Sequence, residues 1–305
     1  MAAAPAIRQC MNTESRRHFL SRSGQLALGA SLLPATVRAI EKDRFTIGLS
    51  QYSLRAMFAD KSLAPLDFAT FAADNFGIHA IDLWEGGLPK DKLEDAAYMA
   101  KLRASANKAK SDLFLLMAGT FDATPDKHEA SVKSFLPSLD RAQQLGARYL
   151  RVFLRAPGTD AEVSANDSAE ALKRLADEAA KRKVTIVIEP AGSPLSVNGA
   201  FLAKVMEKMK HPHCKLMPDF GKQKNNIYDG TEAMMPHTVS VSAKMHSFDE
   251  HGKQPDFDYM RLMKIIADAG FKGIIAIEWE GSRLKPIEGV KASQKLLAEA
   301  IAALG

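Results

Sequence analysis

The sequence contains little cysteine, no long hydrophobic run and little net charge outside its N-terminal part. Only Cys10 and Cys214 are present among 305 residues. Cys10 lies in the N-terminal segment, and without that segment Cys214 remains alone, so no intrachain disulfide is expected in the rest of the chain. The apolar run at residues 24–35 is far shorter than the roughly 20 residues that a membrane-spanning helix needs. We therefore expect no stable membrane anchor.

The formal charge of +5 is concentrated at the N-terminus. Residues 1–39 contain five arginines and one glutamate, which account for four of the five net positive charges. The body of the chain, residues 40–305, is therefore close to neutral. Nucleic-acid binding requires a concentrated basic surface. The sequence thus predicts no nucleic-acid partner.

The N-terminal segment carries a pair of adjacent arginines. Arg16 and Arg17 are followed by Phe-Leu, then by the short apolar run, then by small residues near residues 37–39. This order is typical of a bacterial twin-arginine export signal. We expect a signal peptide at residues 1–39, contact with the twin-arginine (Tat) translocase during export, and a mature periplasmic protein of residues 40–305. An ordinary amphipathic N-terminal helix is the alternative.

Short runs typical of strands alternate with longer segments of helical apolar spacing from residue 45 onward. Eight such runs lie at residues 45–52, 79–84, 113–117, 149–154, 184–189, 215–219, 239–246 and 273–278. Eight strand-and-helix units without a dividing linker predict a single-domain α/β fold, the (β/α)₈ TIM barrel. A doubly wound open sheet is the alternative, but no glycine-rich phosphate turn follows the first strand.

Ionisable residues end four consecutive strands of the predicted barrel. Glu189 ends the fifth strand, Asp219 the sixth, His246 the seventh and Glu278 lies at the end of the eighth. Active sites of such barrels are built at the carboxyl ends of the strands. A single acid there is normally a helix N-cap, but this set matches the ligands of Mn²⁺, Mg²⁺, Co²⁺ or Zn²⁺. We therefore expect a divalent metal held by these four residues.

The chain resembles the xylose-isomerase-like barrels (AP endonuclease family 2), which include sugar isomerases, epimerases, inosose dehydratases and endonuclease-IV-type enzymes. The resemblance covers about residues 45–303 and rests on Gly48-Leu49-Ser50-Gln51-Tyr52-Ser53-Leu54-Arg55, Ile188-Glu189-Pro190, Pro218-Asp219-Phe220-Gly221 and Ile277-Glu278-Trp279-Glu280-Gly281. Exported members of the sugar phosphate isomerase/epimerase type are especially similar. The resemblance implies that Glu189, Asp219 and Glu278 bind the metal.

The seventh strand departs from the family pattern. Ser242 stands where relatives usually have a histidine ligand, and Pro190 follows Glu189 in a stretch where many have another histidine. His246 faces the same way along a strand as Ser242 and Lys244. We expect His246 to supply the imidazole ligand from a position further along the strand, closer to the carboxyl end of the barrel. Lys244 is expected to point into the same mouth, either as a catalytic group or paired with a site acid.

The expected chemistry is proton abstraction next to a carbonyl. A cation chelated by a carbonyl and a hydroxyl stabilises the enediolate that forms when the proton leaves. Glu189 and Glu278 would exchange that proton, which predicts a metal-dependent sugar isomerase or epimerase. A lyase or hydratase acting on 3-keto-glycosides or related oxidised sugars is the alternative. A non-catalytic periplasmic sugar-binding protein is a second alternative, although four site acids suit it poorly.

Polar and aromatic side chains at other strand ends are expected to bind the carbohydrate, because rings stack on its C–H faces and polar groups bond its hydroxyls. These residues are Gln51, Tyr52, Trp84, Glu85, Arg155, Trp279 and Glu280, with Asp82, Arg151 and Phe153 ranked below them. Plain barrel packing is an equal alternative for both tryptophans, and Glu280 rivals Glu278 as a ligand. The expected partner is a small carbohydrate, and a homo-oligomer is compatible with the sequence.

Overall fold

Eight parallel strands form the centre of the fold. The strands are β1 (Phe45–Ser50), β2 (Ala80–Trp84), β3 (Asp112–Asp122), β4 (Tyr149–Arg155), β5 (Thr185–Glu189), β6 (Cys214–Leu216), β7 (Ser240–Met245) and β8 (Gly273–Trp279). The computed structural model describes residues 44–223 and 226–304, so the predicted export signal lies outside the described residues. The strands are ordered β6-β5-β4-β3-β2-β1-β8-β7 in one sheet.

Two isolated parallel bridges join the two ends of this sheet. Leu216 bridges to Thr238, and Asp219 bridges to Ser242. The backbone amide of Ser242 donates to the carbonyl of Pro218 at 2.9 Å, and the amide of Phe220 donates to the carbonyl of Ser242 at 3.2 Å. These bonds bring the β6 edge against β7. The sequence-based prediction of a single-domain (β/α)₈ barrel is confirmed.

Helices separate the strands along the chain and cover the outside of the barrel. They are α1 (Arg55–Ala59), α2 (Phe68–Phe76), α3 (Ala96–Lys108), α4 (His128–Leu145), α5 (Ala161–Lys181), α6 (Gly199–Met209), α7 (Ile227–Met234), α8 (Tyr259–Asp268) and α9 (Pro286–Ala302). Gly146 ends α4 in the left-handed conformation, with φ 77°, which glycine adopts without a steric penalty. In the described part of the chain, no helix combines the length and the apolar character needed to cross a membrane.

An apolar layer fills the inside of the barrel below its carboxyl end. Val187, Met217 and Ala276 belong to this buried cluster. Successive side chains of a strand point to opposite faces, so the residue two positions further along points the same way. Those residues are Glu189, Asp219 and Glu278. Strand alternation therefore places the three acids in one layer, directly above an apolar floor.

Several strand ends differ from the sequence-based prediction. β3 continues to Asp122, five residues beyond its predicted end, and β1 stops at Ser50, two residues before its predicted end. β6 stops at Leu216, three residues before the predicted end, because Pro218 has no N–H group to continue the ladder. β7 ends at Met245, so His246 lies one residue beyond it. The acid at the end of the sixth unit thus stands on a short extended segment, fixed by its bridge to Ser242.

Candidate active site

Three buried carboxylates meet at the carboxyl end of the barrel. Glu189, Asp219 and Glu278 each offer a carboxylate oxygen within 4.8 Å of the others. Their residues are 1%, 0% and 4% exposed, respectively. Burying three acids together is unfavourable unless positive charge compensates them. The site must therefore contain or bind cations.

The ammonium group of Lys244 lies among these carboxylates. Its Nζ is 3.1 Å from Asp219 Oδ2, 3.5 Å from Glu278 Oε2 and 3.9 Å from Glu189 Oε1. A fourth acid, Glu280, accepts a hydrogen bond from the same Nζ at 2.9 Å. The register of β7 and β8 pairs Lys244 with Glu278, which fixes this arrangement from the backbone. Lys244 pairs with the site acids, one of the two roles expected for it.

Arg151 and Ser242 hold the outer oxygens of two of the acids. Arg151 Nε lies 2.9 Å from Glu189 Oε2, and its Nη1 donates to the carbonyl of Ala118 at 2.9 Å. Ser242 Oγ donates to Glu278 Oε2 at 2.7 Å. Glu278 is thus oriented by a hydrogen bond to one oxygen, whereas Glu189 is paired with Arg151 by charge and both of its oxygens lack a hydrogen bond from the described residues.

The acids outnumber the basic groups in this cluster, and burial and the neighbouring charges shift their pKa values. Burial raises the pKa of Glu189 well above its ordinary value, and burial likewise raises the pKa of Glu278. Burial alone would also raise the pKa of Asp219, but the Lys244 ammonium holds it below its ordinary value. Burial alone would lower the pKa of Lys244, but the carboxylates around it raise it instead.

The donor set fits a divalent cation. Both oxygens of Glu189 and the Oδ2 of Asp219 are buried without a hydrogen bond from the described residues. All three acids supply oxygen, the ligand type of hard cations such as Mg²⁺ and Mn²⁺. The acids outnumber the basic groups, so an added positive charge is favoured. The site is therefore a candidate divalent-metal site, with Lys244 near the place that the ion would take.

His246 lies apart from the three acids. It is half-buried beyond the end of β7, and it does not belong to the described group of residues whose ligand atoms lie within 4.8 Å of one another. Its Nε2 lies close to Gly221, since a Cβ added there would be 2.9 Å from it. The role of His246 as a fourth ligand stays a prediction.

Three of the expected substrate-binding residues lie together after β1 and β2. Gln51 is buried and accepts a hydrogen bond from the Trp84 amide at 2.8 Å. The Tyr52 ring meets the Trp84 ring edge-on, with centroids 4.8 Å apart. Trp84 also lines a cavity of about 510 Å³ with Arg55 and Phe58. The role of this half-buried aromatic pair in stacking against a sugar stays a prediction.

Three other expected substrate-binding residues have protein partners. Glu85 pairs with Arg141 of α4 at 2.7 Å. Arg155 is exposed and lies 3.5 Å from Asp122. The buried ring of Trp279 stacks on Phe248, with centroids 5.5 Å apart and planes 16° apart. For Trp279 the alternative of barrel packing describes what is observed.

Arg151 contacts a site acid, although the sequence favoured Arg155 on the same strand as a substrate-binding residue. Residues 151, 153 and 155 share one face of β4, so alternation alone does not separate them. The register does, because Arg151 pairs with Val187 and Phe153 with Glu189. The arginine one layer below the acid can fold back onto it, whereas Arg155 lies at the rim. Asp82 is also buried, and its Oδ1 accepts a hydrogen bond from Ser50 Oγ at 3.0 Å.

A parallel eight-stranded barrel with buried acids at the carboxyl ends of its strands belongs to the class of TIM barrels, in which the active sites of enzymes lie at that end. The comparison with known families gives the particular group. The model of the xylose isomerase-like TIM barrel family matches residues 71–300, and the chain belongs to this family.

Two curated relatives match a short part of the chain. The 3'-dehydrocarminate deglycosidase alpha subunit of a Microbacterium species is 37% identical over 62 residues, which are 20% of this chain and 17% of the relative. The C-glycoside deglycosidase alpha subunit of Arthrobacter globiformis is 32% identical over 74 residues, 22% of this chain and 21% of the relative. The chain thus aligns with about a fifth of the length of each.

Solved structures match nearly the whole barrel at low sequence identity. The IolI protein with a bound zinc atom has a TM-score of 0.69 at 14% identity, covering 85% of this chain and 98% of that one. The 3-keto-D-glucoside 4-epimerase of E. coli has a TM-score of 0.62 at 14% identity, covering 84% and 98%. These matches show that the chain shares the fold of those proteins.

Proposed function

We propose that the protein is an isomerase or epimerase that moves a proton on a carbon next to a carbonyl of a sugar or sugar derivative. The observation that carries this proposal is the pair Glu189 and Glu278. They reach one buried cluster from β5 and β8, and burial raises the pKa of each. A carboxylate with a raised pKa accepts a proton from carbon more readily than an ordinary one does.

The contacts of the two acids define how they would act. Arg151 lies against Oε2 of Glu189, and Ser242 donates to Oε2 of Glu278. The Oε1 atom of each acid is then the one that takes or returns the proton. If one acid takes the proton from one face and the other, already protonated, returns one to the opposite face, the carbon is epimerised. Transfer to the neighbouring carbon gives isomerisation.

We propose that Glu189, Asp219 and Glu278 hold a divalent cation, with His246 as a candidate fourth ligand. The oxygens without hydrogen bonds on Glu189 and Asp219 support this. When bound, the cation supplies positive charge to the substrate oxygens as the proton leaves. The Lys244 ammonium, which faces the same acids, would donate a hydrogen bond to a sugar oxygen beside them. Mg²⁺, Mn²⁺, Co²⁺ and Zn²⁺ are the ions to test.

A second candidate function is elimination from an oxidised sugar. Both curated relatives are named as deglycosidase subunits, and the name of one specifies a 3'-dehydro substrate. A keto group acidifies the neighbouring C–H, so the same proton abstraction can be followed by loss of a β-substituent. The first step uses the same two acids, and the products separate the two functions.

Proton exchange in D₂O tests both candidates. The protein, loaded with Mg²⁺ or Zn²⁺, is incubated with ketoses and 3-keto-glucosides and followed by NMR. We expect deuterium at one carbon next to the carbonyl, accompanied by an epimer, an isomer or, for elimination, a released aglycone. Glu278→Gln should lose the exchange, whereas Glu129→Gln, an exposed acid on α4, should keep it. Absence of exchange with every substrate and metal would contradict the enzyme proposal.

A further inference from the structure

We propose that Lys244 is an internal counter-cation that occupies the metal position in the metal-free protein and is displaced onto Glu280 when a divalent ion binds. The inference rests on the proposed cation site but not on the identity of the reaction. It assigns Glu280 to holding the displaced lysine, whereas the sequence placed Glu280 among the sugar-binding residues.

The position of Lys244 Nζ supports the first half of the proposal. A buried ammonium group is unfavourable without compensating charge, and the Lys244 side chain is only 1% exposed. Three acids whose oxygens approach within 4.8 Å of one another surround it at 3.1 to 3.9 Å. A divalent ion bound to those oxygens would repel an ammonium group at this distance. The ion and the ammonium therefore exclude each other.

The hydrogen bonding of Lys244 supports the second half. In the part of the chain that the structure describes, Glu280 is the acid that forms a hydrogen bond with Nζ, at 2.9 Å. Asp219 Oδ2 lies within ion-pair distance of Nζ but lacks hydrogen-bonding geometry. Movement away from the three acids thus keeps the hydrogen bond that Lys244 already has.

The location of Glu280 gives the direction of the movement. Glu280 lies two residues beyond Glu278 on the same side of the β8 chain, and its side chain is 20% exposed against 5% for Glu278. It therefore lies closer to the mouth of the barrel. Gly221 makes room for the lysine stem, since a Cβ there would lie 2.6 Å from Lys244 Cδ. Lys244 can swing outward toward the mouth without leaving a carboxylate partner.

Metal titration of the full chain, stripped of metal with a chelator, tests the proposal. Mn²⁺, Mg²⁺ and Zn²⁺ are titrated by calorimetry into the wild type, Lys244→Met and the control Lys264→Met, which removes an exposed lysine of α8. We expect Lys244→Met to bind at least one ion roughly tenfold more tightly or better, because the competing charge is gone. The metal-free variant should unfold at lower urea concentration, and Lys264→Met should match the wild type in both.

A double-mutant cycle separates the proposed role of Glu280 from a general effect of its charge. Glu280→Gln should weaken metal binding roughly tenfold in the wild-type background, because the displaced ammonium loses its partner. In the Lys244→Met background the same change should have little effect. An equal loss in both backgrounds would mean that Glu280 attracts the ion directly and would overturn the proposal.

The remaining outcomes also decide the matter. Equal metal affinity of the wild type and Lys244→Met, together with proton exchange by the wild type, would overturn the displacement and leave the proposed function standing. Tighter metal binding by Lys244→Met, without proton exchange by the wild type on any sugar, would support the displacement and contradict the proposed function. If no variant binds a divalent ion, the cation site is wrong and the proposal falls with it. If Lys244→Met does not fold, Lys244→Gln takes its place. Glu280→Gln keeps Lys244, so it tests the role of Glu280 even if neither Lys244 variant folds.

Discussion

Ser242 Oγ donates a hydrogen bond to Glu278 Oε2 at 2.7 Å, at the position where the resemblance led us to expect a histidine ligand. The hydroxyl of this serine orients one of the three acids. The seventh strand therefore contributes a positioning group and an ammonium group to the site, in the order Ser242 and Lys244.

Replacing Ser242 by alanine removes the donor from Glu278. We expect proton exchange to fall about tenfold, because the free Oε1 atom of Glu278 is no longer held toward the substrate, and stability to fall by about 1–3 kcal/mol. Deuterium incorporation and urea unfolding measure the two effects. Ser134→Ala, on the outside of the barrel, is the matched control. Unchanged exchange in Ser242→Ala would remove Ser242 from the site.

Replacing Arg151 by methionine leaves the buried Glu189 without its closest positive partner. We expect a loss of about 3–5 kcal/mol in the free energy of unfolding, since an unpaired buried charge is costly. Arg151→Lys should recover part of it, because lysine restores the charge without the planar guanidinium group. Arg174→Met, which breaks an exposed ion pair on α5, should change stability by less than about 1 kcal/mol. Equal effects of the two methionine variants would contradict the assignment.

Variants of the proposed ligands separate metal binding from proton transfer. Asp219→Asn should weaken divalent-ion binding, whereas Glu278→Gln should retain some metal and lose proton exchange by on the order of 10²-fold or more. Elemental analysis of the purified protein gives the metal content. His246→Ala tests the fourth ligand, and full metal occupancy in this variant would show that histidine takes no part.

The buried thiol of Cys214 predicts that the free energy of unfolding decreases at alkaline pH. Burial raises the pKa of its thiol from 9.0 to about 12. Above about pH 9 the unfolded chain releases this proton and the folded protein keeps it, so stability is full below that pH and falls as the pH rises toward 12. We expect a loss of roughly 1 kcal/mol for each pH unit in this range. Urea unfolding at pH 8 and pH 10 should show a smaller difference for Cys214→Ala than for wild type.

We propose that the protein is exported through the twin-arginine pathway, on the basis of Arg16 and Arg17. Lysine at both positions should hold the precursor in the cytoplasm, because the translocase reads the arginine pair. The periplasmic wild type should begin close to Ile40. Cell fractionation and N-terminal sequencing give the answer, with Arg8→Lys as a control. Unaltered export of the double variant would exclude this route.

The sequence predicted the barrel and the three acids for a simple reason. Strand alternation and the position of Glu189, Asp219 and Glu278 at strand ends are both properties of a single strand, readable without its neighbours. The same alternation argues against Trp279 as a sugar-binding residue. It directly follows an inward-facing acid and so points outward, where it packs on Phe248.

The remaining features of the site depend on relations between strands. The choice between Arg151 and Arg155 follows from the register of β4 on β5. The position of Lys244 among four acids follows from the register of β7 on β8 and from the bridge that brings Ser242 to Asp219. Neither relation is encoded in the periodicity of one segment, so the sequence could name these residues without placing them.

The apolar floor formed by Val187, Met217 and Ala276 closes the barrel beneath the acids. A molecule that reaches the carboxylates must enter through the mouth, and it must leave by the same opening. Substrate and product would therefore use the same opening. A product that dissociates slowly would therefore compete with the substrate for the site and inhibit the protein.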